Sequence, residues 1–192
     1  HNYIEAILQP PSTTIAEQYS YHIIENKVYV TTDSGRNWIE VPAEFSNIYS
    51  TDREFASNSY YIGDNKLIFE KNNGEFISLI YSDDKGETWQ NSLITDTNGY
   101  IVYMNFFDKN NGIAMICTSN ELGQREHLRA SITYDGGKTW TTQKEENSRI
   151  RINRGADIEF TSVNDGRIEN ISYEGTKTVY VTNDAGKTWE EE

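Results

Sequence analysis

The chain has 192 residues, with 17 Lys and Arg against 30 Asp and Glu, for a formal charge of −13. A surface this acidic repels phosphate backbones and anionic headgroups, which argues against nucleic-acid and membrane-surface binding. Aromatic residues (13 Tyr, 7 Phe, 4 Trp) are too many for a disordered acidic chain. No apolar stretch approaches the roughly 20 residues of a membrane span, so no membrane insertion is expected.

In chain order, residues 3–8 read as a first strand, and Pro10 and Pro11 then exclude central strand pairing. Residues 21–25 and 27–31 are the next two strand candidates, followed by Thr31-Thr-Asp33-Ser-Gly35-Arg-Asn37-Trp38. Residues 59–62, 66–69 and 76–81 repeat that order, with a turn at 63–65, and lead into Ser82-Asp-Asp84-Lys-Gly86-Glu-Thr88-Trp89. Residues 101–106 and 113–117, joined by the turn-forming 108–112, precede 128–133 and Thr133-Tyr-Asp135-Gly-Gly137-Lys-Thr139-Trp140. The last set is 157–160, a turn at 164–166, then 168–171, 178–182 and Thr182-Asn-Asp184-Ala-Gly186-Lys-Thr188-Trp189. The chain ends at Glu192, so the strand after Trp189 is expected to be short.

All four tryptophans therefore sit in one frame, Ser/Thr-x-Asp-x-Gly-x-Thr/Asn-Trp, whose aspartates are 51, 51 and 49 residues apart. That period suits a unit of about four strands. The frame has the chemistry of a tight turn between antiparallel strands. An Asp carboxylate accepts nearby backbone N–H groups, and a Gly supplies a positive φ. A Trp after the turn covers the hairpin. Asp33, Gly35, Trp38, Asp84, Gly86, Trp89, Asp135, Gly137, Trp140, Asp184, Gly186 and Trp189 are therefore read as structural. No segment shows sustained helical spacing, and residues 54–59 and 120–127 read as loops or single turns. The chain is expected to be all-β, with blades at about 1–42, 43–94, 95–144 and 145–192 standing round an axis.

The frame resembles the Asp-box, or BNR repeat, of bacterial neuraminidase-like β-propellers, and the resemblance covers essentially the whole chain. It implies a small propeller, four blades of four antiparallel strands, with the box between the third and fourth strands, away from the ligand-binding mouth. The family includes sialidases, other glycosidases, sortilin-like receptors and assembly factors of the YCF48 group. Sialidases of this kind generally run six blades, whereas four periods use up this chain. The resemblance puts the ligand face on residues 43–58, 70–75, 95–99, 119–127, 143–155 and 174–176.

Two pieces of that face carry arginine, the residue suited to bidentate capture of a sugar carboxylate. Arg149, Arg151 and Arg154 lie in one short loop, and Arg125 and His127 stand where the strand before the third box begins. Tyr60, Tyr61 and Tyr100 are candidate exposed aromatics. The Phe/Tyr-Arg-Ile-Pro segment of sialidases is missing, no proline follows Pro42, and three arginines in one loop do not surround a substrate. No catalytic residue is therefore assigned. The arginines, His127, Tyr60 and Tyr61 are candidate ligand contacts.

His1, His22 and His127 are too scattered for a metal motif, and the Asp-rich turns at 96–99 and 108–112 lack the other ligands of a calcium loop. No metal or cofactor is expected. Cys117, the single cysteine, excludes an intrachain disulfide and sits in an apolar run as a buried small hydrophobe. Asn170-Ile-Ser172 fits a glycosylation acceptor of the kind that chance supplies in an Asn-rich chain. Beginning at His1 with neither Met nor leader, the chain reads as a trimmed or mature form. The blade architecture without an assembled catalytic set implies a non-catalytic binding or scaffold module with an unknown protein or glycan as partner, and the resemblance implies an extracellular or cell-envelope setting. A remnant sialidase-like glycosidase is the alternative.

Overall fold

The computed structural model describes residues 18–24, 27–43, 59–72, 75–96, 99–119, 125–143, 150, 152, 156–172 and 174–192. Fifteen strands and no helix occur among them. β1 (Ser20–Ile24), β2 (Lys27–Thr31) and β3 (Ile39–Glu40) form the first sheet, and β4 (Tyr60–Ile62), β5 (Leu67–Asn72), β6 (Ile77–Ser82) and β7 (Gln90–Thr95) the second. The third holds β8 (Gly99–Phe106), β9 (Gly112–Ser119), β10 (Arg125–Thr133) and β11 (Thr141–Thr142). The fourth holds β12 (Asp157–Phe160), β13 (Gly166–Ile171), β14 (Lys177–Thr182) and β15 (Glu190–Glu191). Every pairing is antiparallel between chain neighbours, and the four sheets match the blades of a four-blade propeller. The expected strand at 3–8 lies outside the described residues.

Alternation along each strand places residues on opposite faces of its sheet, and both faces are apolar where a sheet lies between two others. On β6, Ile77, Leu79 and Tyr81 point into a core shared with Ile101, Met104 and Ala114 of the third sheet. Ile80 points the other way, into a core with Val28, Val30 and Val41 of the first. A further core joins Ile113, Met115 and Ile132 of the third sheet to Ile158, Phe160 and Ile168 of the fourth. Cys117 is buried as expected. Among the described residues, no core joins the fourth sheet to the first.

One expectation needs correction. β10 begins at Arg125, so residues 125–127 are strand rather than loop, with an irregular register between Arg125 and His127. The final strand is short as expected, and so are two of the other three last strands. β3 and β11 are two residues long like β15, each extended by one bond from Val41, Gln143 or Glu192, and only β7 is longer.

Candidate functional site

The four frames share one hydrogen-bonded turn. Each begins with a hydroxyl that donates to the box Asp and accepts the box Gly N–H, as Ser82 Oγ does at 2.7 Å in both bonds. Thr31, Thr133 and Thr182 repeat the pattern. One Asp oxygen also receives the backbone N–H four residues on, at 2.9–3.0 Å in all four boxes. The other accepts the side chain of that same residue: Asn37, Thr88, Thr139 or Thr188. Both oxygens of every box carboxylate are thus used by its own turn.

These bonds favour the charged carboxylates. The Thr88 hydroxyl, helped by the Thr88 N–H and Ser82, holds Asp84 down at about 2. Asn37 lowers Asp33 in the same way. At Asp135 and Asp184 burial pushes upward, and hydrogen bonds led by Thr139 and Thr188 outweigh it, so both also lie below the ordinary value.

Box glycines adopt positive φ as the frame requires, from 78° at Gly186 to 94° at Gly137. The residue before each is left-handed too, and in three boxes it is not glycine: Ser34, Lys85 and Ala185 have φ near 60°. Its N–H donates to the carbonyl of an earlier turn in the same blade, as Lys85 does to Asn65 at 3.1 Å. Gly136 to Asn110 and Ala185 to Asn164 repeat the latch, and Ser34 donates likewise to Gln18.

The second, third and fourth boxes also reach back to the preceding sheet. A Cβ on Gly86 would stand 2.8 Å from Ile39 of the first sheet, one on Gly137 3.6 Å from Ile68 of the second, and one on Gly186 3.2 Å from Ala130 of the third. The tryptophans are half-buried. Trp89, Trp140 and Trp189 pair with Phe69, Phe106 and Phe160 at 6.0–6.4 Å between ring centres. Trp89 and Trp140 donate their indole N–H to the box glycine carbonyl at 3.0 Å. Trp38 differs: its ring lies 4.7 Å from His22, and its buried Nε1 has no hydrogen-bond partner among the described residues.

Two buried charged side chains of β5 and its preceding turn, missed in the sequence, pin the second sheet to the third. Lys66, 8% exposed, donates to the Gly136 carbonyl at 2.6 Å, pairs with Asp83 and lies 5.2 Å from the Phe106 ring centre. Glu70, 1% exposed, accepts the Ile101 N–H at 3.4 Å. No local pattern announces either burial, because Gly136 lies 70 residues beyond Lys66.

Arg149, Arg151 and Arg154 lie outside the described residues. Arg125 and His127 are placed on β10, where their side chains are not described. Tyr60 and Tyr61 are half-buried and turn to opposite faces of the second sheet. Tyr60 meets Tyr21 edge-on at 4.8 Å, and Tyr61 lies 5.1 Å from Phe106. Both rings belong to inter-sheet packing. Burial raises the Tyr61 phenol above its usual value. Among the described residues, no three His, Cys, Asp or Glu side chains are grouped to hold a metal ion. No helix among them is long and apolar enough to cross a membrane.

Four sheets, each with a box turn before its last strand, define an Asp-box β-propeller. The sequence model of the BNR/Asp-box repeat matches residues 80–91, the second box and its flanks. No curated protein matches the chain. Among solved structures, a protein of unknown function from Dyadobacter fermentans DSM 18053 is 16% identical, with 90% of this chain and 54% of that one covered and a TM-score of 0.46. The NanB sialidase of Streptococcus pneumoniae is 12% identical over 84% of this chain and 29% of its own, with a TM-score of 0.44. The GH74 enzyme of Niastella koreensis is 11% identical over 87% and 34%, with a TM-score of 0.42. This chain thus spans about half or less of each of these proteins.

Proposed function

We propose that the chain is a non-catalytic binding module whose ligand is another protein. The use of both oxygens of every box carboxylate inside its own turn supports this reading. The repeated aspartates and tryptophans, the first candidates for site chemistry, build rigid hairpins and sheet junctions. A rigid scaffold of that kind lowers the ordering cost of binding at its surface. The charge of −13 favours a partner with a basic face. An extracellular or cell-envelope setting belongs to the same proposal and is supported by the BNR/Asp-box match.

The test is cross-linking and affinity capture from envelope and secreted fractions of the source organism, with the heat-unfolded chain as control and a glycan array alongside. The expected result is a protein recovered by the folded chain alone and a blank array. Saturable binding to one sugar class, weakened by Arg149→Ala or Arg151→Ala, with no protein recovered, would replace this reading with the glycan-binding one.

A further inference from the structure

The last strands of the four sheets, in chain order, are unequal: β3, β11 and β15 have two residues and β7 has six. β7 is the last strand of the second sheet and, among the described residues, pairs with β6 alone, which leaves its other backbone edge over residues 90–93 outside the sheet ladder. Such an edge is a template for another strand, and proteins blunt it with short length, charge or proline. The other three last strands are short. β7 is not, and its sequence Gln-Asn-Ser-Leu-Ile-Thr has no charge and no proline.

Its far end is closed, because the register shifts there and Thr142 Oγ1 donates to the Ile94 carbonyl at 3.4 Å. Before that point Gln90, Asn91 and Leu93 are exposed. Leu93 is 53% exposed, and Phe76, one residue ahead of β6, is 37% exposed. Leu93 opposes Ser78, and the two-residue period carries Phe76 to the same face. An open stretch of backbone edge is thus flanked by apolar surface.

We propose that this edge of β7 receives an extended, basic segment of a partner protein, which adds a fifth strand to the second sheet and seats an apolar side chain against Leu93 and Phe76. The proposal rests on the protein-binding reading above and names its site. Main-chain hydrogen bonds give such strand addition its affinity, and alternate side chains give it selectivity. Charge selects the occupant: exposed Glu87 and Asp96 stand beyond the two ends of the strand, and two copies at −13 each repel one another.

The test uses a fluorescent eight-residue peptide of alternating Lys and Val, measured by anisotropy at about 0.15 M salt, where distant charges are screened. A second peptide carries N-methyl groups on every other amide, with charge and side chains kept. The expected result is saturable binding, weakened about tenfold or more, a change of about 1.4 kcal/mol, by N-methylation and by Leu93→Ser. Leu93 is exposed, so that variant keeps the fold. No binding, equal binding of the methylated peptide, or unchanged binding to Leu93→Ser overturns the proposal. So does a dimer in sedimentation that Leu93→Ser dissolves, since the edge then serves a second copy. A partner captured equally by the native chain and Leu93→Ser removes this site while the protein-binding reading stands.

Discussion

The junction between the second and third sheets and the outer face of the fourth share one backbone plan and carry opposite chemistry. Leu67 pairs with Ser82 and Gly166 with Thr182, so the hydroxyl that opens each box sets the same register in both sheets. Ile68 opposite Tyr81 then corresponds to Arg167 opposite Val181, and Asn72 opposite Ile77 to Ile171 opposite Lys177. Glu70 opposite Leu79 corresponds to Glu169 opposite Val179, a carboxylate in both places. Glu70 is buried against the third sheet, whereas Glu169 is bonded by Lys177 at 2.6 Å and Arg167 at 3.2 Å in reach of water. Those bonds, Lys177 first, hold the Glu169 carboxyl below the usual range. The repeat dictates the ladder, and the residues pointing off it decide whether a sheet face becomes a junction or a surface.

The sharpest way to break the comparison is truncation at one matched position. Leu79 is fully buried, so Leu79→Ala is expected to cost about 2–5 kcal/mol. Val179, half-exposed on the corresponding face, should cost about 1 kcal/mol or less on the same change. Urea unfolding of both variants checks this, and equal losses would mean that the fourth sheet's outer face is as closely packed as the inner junctions.

Next in size is the contact by which a box holds the preceding sheet. Gly86→Val places a β-branched residue at φ 87° and a Cβ 2.8 Å from Ile39, for an expected loss of roughly 2–4 kcal/mol. An unchanged melting temperature would sink the turn geometry and the junction together.

A third prediction concerns acid. Asp84 titrates near 2 in the folded chain against 3.8 ordinarily, so its contribution to stability is present above about pH 4 and is lost as pH falls through its folded value. Asp33, Asp135 and Asp184 are shifted in the same direction and add to it. Stability is therefore expected to fall between about pH 4 and pH 2, less steeply in Asp84→Asn. An identical acid limb in that variant would show that the turn bonds do not favour the carboxylate.

What the sequence disclosed follows the same division. The box turns, the four-sheet order and most strand positions were legible because their causes lie within about eight residues: a hydroxyl, a carboxylate, a glycine and a strand on either side. The half-burial of Trp89, the packing of Tyr60 and Tyr61, and the burial of Lys66 and Glu70 were not, because each depends on a neighbouring sheet. Nor does residue type separate Glu70 from Glu169. The length of β7 does have a local signal, since Gln-Asn-Ser-Leu-Ile-Thr carries no charge or proline, whereas Pro42 follows Trp38, charged residues follow Thr141 and Thr142, and only glutamates follow Trp189.

The smallest effect is expected where the surface side of a box carries local strain of its own. Lys85 is exposed and left-handed at φ 59°, and Gly136 fills the matching position of the third box at φ 81°. Lys85→Gly relieves the Cβ strain and loses part of that gain to the greater freedom of glycine in the unfolded chain. The Lys85 N–H to Asn65 carbonyl latch is retained, since it belongs to the backbone. A net gain of about 0.5–1 kcal/mol in urea unfolding is expected. Gly136→Ala runs the change in reverse inside a junction, where a Cβ would meet the Lys109 carbonyl at 2.8 Å and Lys66 Nζ at 3.0 Å, so its loss should exceed the gain from Lys85→Gly. Equal and opposite effects would mean that backbone strain alone operates at both sites, and that the third box makes no closer contact with its neighbour than an exposed turn does.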